Sequence, residues 1–123
     1  GTEAQTTKNL RLALEGWGNS RFVPFGREKK AILIVEDAKL LTHQEEYDGK
    51  IRVKLEILDD RGFVVGSAHA AVVRTLKLPV DLSLEERAGQ LKRFQEELIN
   101  DIDKQMTKEL IQHLPTYIST WMS

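Results

Sequence analysis

The feature that most restricts this chain lies in residues 83–114. Leu84, Ala88, Leu91, Phe94, Leu98, Ile102, Met106, Leu110 and Leu114 recur at steps of three and four, with Ile99 and Ile111 widening the stripe. That period collects the apolar side chains on one face of an α-helix. Ser83-Leu84-Glu85-Glu86 precedes the stripe with capping-box spacing: the Ser83 hydroxyl accepts from the Glu86 amide, and the Glu86 carboxylate accepts from the Ser83 amide. Pro115 halts the pattern, and Lys108 and His113 stand near the end, where positive charge is favoured. About thirty residues make roughly 45 Å of helix, longer than a domain of this size is wide. The helix is therefore expected to protrude or to bend, with Asn100-Asp101 the weakest helix formers along it.

Such a stripe needs an apolar surface to cover, and the preceding residues supply one. Ile51, Val53, Leu55 and Ile57 alternate with Arg52, Lys54 and Glu56, one apolar and one charged face of a strand. Tyr47-Asp48-Gly49 before it reads as a turn, and Asp59-Asp60-Arg61-Gly62 after it as a tight hairpin, with Gly62 free to take positive φ. The return strand carries Val64, Gly66, Ala68, Ala70 and Val72 on one face and Val65, Ser67, His69, Ala71 and Val73 on the other. Small residues on the first face let a helix backbone come close, so the long helix is expected there.

Nearer the N-terminus, Ala31-Ile32-Leu33-Ile34-Val35 reads as a strand buried on both faces, continuing into a polar mixture over residues 36–40. Leu10, Leu12 and Leu14 alternate with Arg11 and Ala13, the period of a half-buried strand. Residues 16–26 mix glycines with Trp17, Phe22 and Phe25 and read as a loop. Residues 1–9 read as a polar linker opening on a cleavage scar at Gly1, so a signal peptide or lipid-bearing cysteine is expected upstream. The expected fold is α+β: one domain over residues 10–123, a two-layer sandwich with an antiparallel sheet of about three to five strands under the long helix. The tail, residues 116–123, carries Tyr117, Ile118, Trp121 and Met122 and is expected to fold back.

At 123 residues with 41% hydrophobic and 30% charged residues, the chain has the composition of one ordinary globular domain. A net charge of -1 gives no global pull towards nucleic acid, which is not expected as a partner. The chain has no cysteine, hence no disulfide, thiolate nucleophile or cysteine-ligated zinc. Apolar runs fall short of the roughly 20 residues of a membrane-spanning helix.

Candidate chemistry is sparse. His43, His69 and His113 fall on a loop, a strand and a helix end, without the spacing of a metal helix, and no metal or cofactor is expected. His69 shares a strand face with Ser67, but no acid is placed beside them and Ser67 lacks a nucleophile-elbow context. Asp48, Asp59 and Asp60 lack the alternating ligands of a calcium loop, and turn chemistry explains them. The charges at Glu85, Glu86, Arg87, Lys92, Arg93, Glu96 and Glu97 form a solvated face. Trp17, Arg21, Phe22, Phe25 and Arg27 stand out, because aromatics beside arginine are the residue types that anchor partner surfaces. They are the expected partner-binding residues, with capping of the chain's own core the competing explanation.

The element order, with a buried strand, a Tyr-led amphipathic strand, the turn Leu58-Asp59-Asp60-Arg61-Gly62, a small-residue strand ending Val72-Val73-Arg74-Thr75 and a long helix, resembles the periplasmic lipoprotein domains of Gram-negative bacteria. The likeness is to the auxiliary lipoproteins of ABC-type transport systems and the related small envelope-assembly lipoproteins, and spans residues 10–114. It implies a non-enzymatic periplasmic domain that is tethered through a lipidated cysteine and binds protein or lipid partners. The resemblance brings no site residues with it. Three functions follow as expectations: an envelope interaction module, a small-ligand carrier with an apolar pocket between sheet and helix, and an enzyme built on His69. A cytoplasmic location is the alternative to the periplasm, and the oligomeric state is left open.

Overall fold

The computed structural model describes residues 2–21, 29–43 and 45–113, with residues 2–7 and 19–21 in backbone alone. Along the chain run α1 (Thr2–Arg21), β1 (Lys30–His43), β2 (Glu46–Leu58), β3 (Val64–Lys77) and α2 (Leu84–His113). The strands form one antiparallel sheet in the order β1-β2-β3. α1 packs over β1 and α2 over β3, and their buried side chains join those of β2 in one core. This is the expected α+β two-layer architecture, with a second helix that the sequence pattern had not announced.

Residues 10–14, expected as a strand, lie inside α1. Leu10 and Leu14 are buried four residues apart, Trp17 follows half-buried, and Leu12 is 56% exposed. The stripe is thus 10, 14, 17, a helical spacing that the intervening leucine disguises. The polar stretch expected as a linker belongs to the same helix from Thr2, and the first part of the expected loop, as far as Arg21, forms its last turns. There α1 lies so close to β1 that a Cβ on Gly18 would collide with the Leu33 side chain.

β1 is covered on one side only, with Ile32 41% and Ile34 37% exposed and Leu33 and Val35 half-buried, against the expectation of two buried faces. Both helices lie on the same side of the sheet, so no described element covers the other. The strand also runs on through residues 36–40. A β-bulge at Glu36 moves the pairing from Val35↔Val53 to Asp37↔Arg52, so Ala38 and Leu40 turn to the core after Ala31, Leu33 and Val35. That inserted residue turned an alternating strand into an apparent polar mixture.

Tyr47-Asp48-Gly49, expected as a turn, lies within β2. Gly49 is buried where α2 crosses, and a Cβ there would meet Leu98 Cδ1 at 2.5 Å and Phe94 Cε2 at 3.2 Å. The β2–β3 turn is as expected. Asp59 Oδ1 accepts from the Arg61 and Phe63 amides at 2.9 Å each, and Gly62 takes φ +86°. The Asp59 carboxylate therefore serves the turn.

The capping box forms, with Glu86 N to Ser83 Oγ at 3.1 Å and Ser83 N to Glu86 Oε1 at 3.3 Å. α2 is one helix through Asn100 and Asp101. Its core residues are Phe94, Leu98, Ile102, Met106 and Leu110, whereas Leu84, assigned to the stripe, is 86% exposed and Ala88 is exposed. The first turns overhang the sheet, and Arg87 ties them down by donating to Tyr47 Oη and the Pro79 carbonyl. As expected, the small face of β3 lies under α2, with Ala68 and Ala70 buried.

Candidate functional site

The two helices leave one face of the sheet without a covering layer. Its central strand presents Asp48, Lys50, Arg52, Lys54 and Glu56, flanked by the exposed Ile32, Ile34 and Leu41 of β1 and Val65 and Val73 of β3. Alternation alone produces this arrangement, because residues between the core positions must face outward. Polar and charged contacts stitch the face together: Thr75 Oγ1 donates to Asp48 at 2.8 Å across the strands, and Lys54 lies 3.2 Å from Glu56. Glu36, pushed out by the bulge, stands 3.8 Å from Arg52 and 3.9 Å from His69.

His69 is the enzyme candidate, and its side chain is 60% exposed on this open face. Ser67 shares the face and is exposed too. A general base needs a substrate held against it and shielded from water, and no described residue walls off such a space. His43 lies at the far end of β1, and His113 at the end of α2 lies 3.3 Å from Glu109, so the three histidines are not brought together. Among the described residues no group of three or more His, Cys, Asp or Glu side chains could hold a metal.

Of the expected partner-binding residues, Trp17 is the one whose side chain is described. Its Nε1–H donates to Asp103 Oδ2 at 2.7 Å, bracing α1 against α2, and its ring packs against the core. Arg21 closes α1, with its backbone alone described, and Phe22, Phe25 and Arg27 lie outside the described residues. The tail expected to fold back, residues 116–123, lies outside them too.

Among the described residues the two foremost depressions open to the surface. One of about 640 Å³ at the sheet's rim is lined by His43, Glu45, Glu46, Lys77 and Val80. Another of about 350 Å³ follows the outer margin of β3, between Ala71, Val72 and Val73 and the α2 residues Asp101, Lys104 and Gln105. Neither is the enclosed apolar cavity a small-ligand carrier requires. Beside the second, Arg74 is held between two acids of α2, donating through Nε to Asp101 and through Nη1 to Glu97 at 2.9 Å. The hydrogen bond and the charge of Asp101 push the guanidinium further above its ordinary value, outweighing partial desolvation. Sequence patterning missed this cluster because Arg74 falls on the helix-facing side of β3, beyond the small residues that marked it.

No protein-family model matches the chain, and no curated protein matches it. A solved structure does: a candidate lipoprotein from Caulobacter crescentus CB15, similar over 88% of this chain and 83% of that one, at 16% identity and a TM-score of 0.54. At that identity the likeness is one of fold.

Proposed function

We propose that this chain is a non-catalytic domain of a bacterial envelope lipoprotein that holds a protein partner on the uncovered side of its sheet. The observation that carries this is the open face, where Ile32, Ile34, Leu41, Val65 and Val73 stand exposed among ordered charges. Aliphatic residues set among paired charges suit a protein surface, which supplies both kinds of complement. The Caulobacter protein with this fold, described as a candidate lipoprotein, supports the envelope half of the proposal. An accessory role in transport or envelope assembly, with a lipid anchor preceding Gly1 and a periplasmic site of action, completes it. Phe22, Phe25 and Arg27 stay in the proposal as further contacts.

A photo-crosslinking residue at Ile34, compared with one at Leu12, tests the contact. Leu12 is equally aliphatic and more exposed, but lies on α1. The proposal expects one discrete adduct in cells from position 34 and none from position 12. Equal labelling, or none at either, overturns it. Radiolabelled fatty acid on the full-length gene product tests the anchor separately.

A further inference from the structure

A strand at the edge of a sheet presents unpaired main-chain groups, and a neighbouring strand is what completes them. In an antiparallel ladder each residue turns its N–H and C=O to the same side, alternating along the strand. The Ala71 N–H donates to Gln105 Oε1 of α2 at 3.1 Å, and the register with β2 is unbroken from Gly66 to Lys77. Ser67, His69, Ala71, Val73 and Thr75 therefore all turn their main-chain groups away from β2. Of the five, Ala71 alone has a main-chain hydrogen bond on that side among the described residues. There an amide oxygen of a side chain sits where the carbonyl of a further strand would sit. The groove beside it runs along Ala71 to Val73, and Val73 is 67% exposed. The opposite margin is managed differently: β1 is bulged at Glu36, and its Val35 carbonyl accepts from Arg11 of α1 at 3.4 Å.

We propose that the outer margin of β3 takes up an extended, acidic segment of a protein partner as a fourth strand. This rests on the partner-binding reading and names its site and the kind of partner. Geometry argues against a second copy of this chain pairing through β3. Paired strands lie about 4.8 Å apart, whereas packed helices need roughly 8–10 Å between axes. Because α2 lies over β3 itself, β3-to-β3 pairing would drive the two copies of α2 into each other. A bare extended segment meets no such obstacle and would slide under α2. Charge fixes its character. Arg74 holds Glu97 and Asp101, while Lys104 in the groove wall and Lys108 one turn on are exposed and form no ion pair among the described residues. A strand whose alternate side chains are acidic would meet these lysines, and its other side chains would lie beside Ala71 and Val73 on the open face. The chain's own residues 114–123 carry no acidic side chain.

The test uses the whole chain, isotope-labelled, and a short peptide alternating valine with glutamate, with a lysine-for-glutamate peptide as control. The proposal expects amide shifts at Ser67, His69, Val73 and Thr75, and Gln105 released from Ala71. Val73→Pro removes an N–H that β2 does not use, so the β2–β3 ladder survives; it should weaken binding by about tenfold or more. Lys104→Glu with Lys108→Glu should reverse the preference between the two peptides. Binding that ignores Val73→Pro, shifts confined to the open face, or no binding below about 1 mM overturns the proposal. So does protection of these amides from exchange without peptide that is lost on truncation after His113, since the tail would then be the occupant. Loss of the Ile34 adduct, by contrast, strikes at the partner-binding reading itself.

Discussion

The indole of Trp17 makes a bond that its ring alone cannot replace. With Trp17→Phe the ring still covers the core, but Asp103 loses a 2.7 Å donor in a half-buried setting and keeps the more distant Thr107 hydroxyl at 3.4 Å. A hydrogen bond to a charged group contributes about 1.5–3 kcal/mol when its partner is left wanting. Urea unfolding should therefore show a loss of about 1–2 kcal/mol with an unchanged m-value; no loss would mean that water replaces the indole freely. Gly49 is the steric counterpart. Gly49→Val puts a branched side chain where Leu98 and Phe94 already stand, and overpacking of this kind costs about 1–3 kcal/mol. Neither role was legible in the sequence. An aromatic among glycines has the same composition whether it docks a partner or a neighbouring helix, and Gly49 after Tyr47-Asp48 looks like a turn until α2 is laid across it.

At the level of elements, α2 was readable because its signals agree. The Ser83–Glu86 box, the apolar period and Pro115 all mark one helix, and Ser83→Ala should cost about 1 kcal/mol, the usual loss of an N-cap. Thermal or urea melts of Ser83→Ala, Glu86→Ala and the double variant would show non-additive losses if the two side chains act as the reciprocal pair seen here. Arg74 ties the middle of the same helix to β3, and its pH behaviour follows from its sign. A basic group whose value is raised on folding gives stability that is present below its ordinary value and lost only above the raised one, so near neutrality Arg74 itself does not titrate. Salt is the effective lever. Arg74→Met should lower the melting temperature slightly, and the difference should shrink as salt screens these exposed partners. β1 was harder to read, since a bulge changes which residues face the core without leaving a mark in composition. Deleting Glu36 brings Asp37↔Arg52 directly after Val35↔Val53, so Ala38 and Leu40 should still face the core and the loss should be well below that of Leu40→Ala, about 2–5 kcal/mol. Glu36→Ala, which keeps the residue count, should be nearly silent. A deletion as costly as Leu40→Ala would show that the bulge itself supports the strand.

The whole molecule divides into a covered and an uncovered side, and that division is where any function has to be sought. The sequence pattern anticipated one helix over the sheet and so could not show that α1 joins the same layer, leaving the other side bare among the described residues. α1 was hidden because, among its described side chains, Leu10, Leu14 and Trp17 make up most of a stripe that two glycines and an exposed Leu12 interrupt. Once both helices are placed, adjacent residues of β1 acquire opposite meanings. Leu33 faces α1 beside Gly18, whereas Ile34 faces solvent across from Lys54. Leu33→Lys would force a charge into the α1 contact and should unfold the N-terminal half of the layer or cost several kcal/mol, as uncompensated buried charge does. Ile34→Lys should change stability by no more than about 0.5 kcal/mol, the usual range for a surface site. If the open face binds a protein, that same silent substitution should abolish capture of the crosslinked partner. Stability and capture must therefore come apart at position 34 and fall together at position 33. A protein whose open face serves no partner would show the first difference without the second.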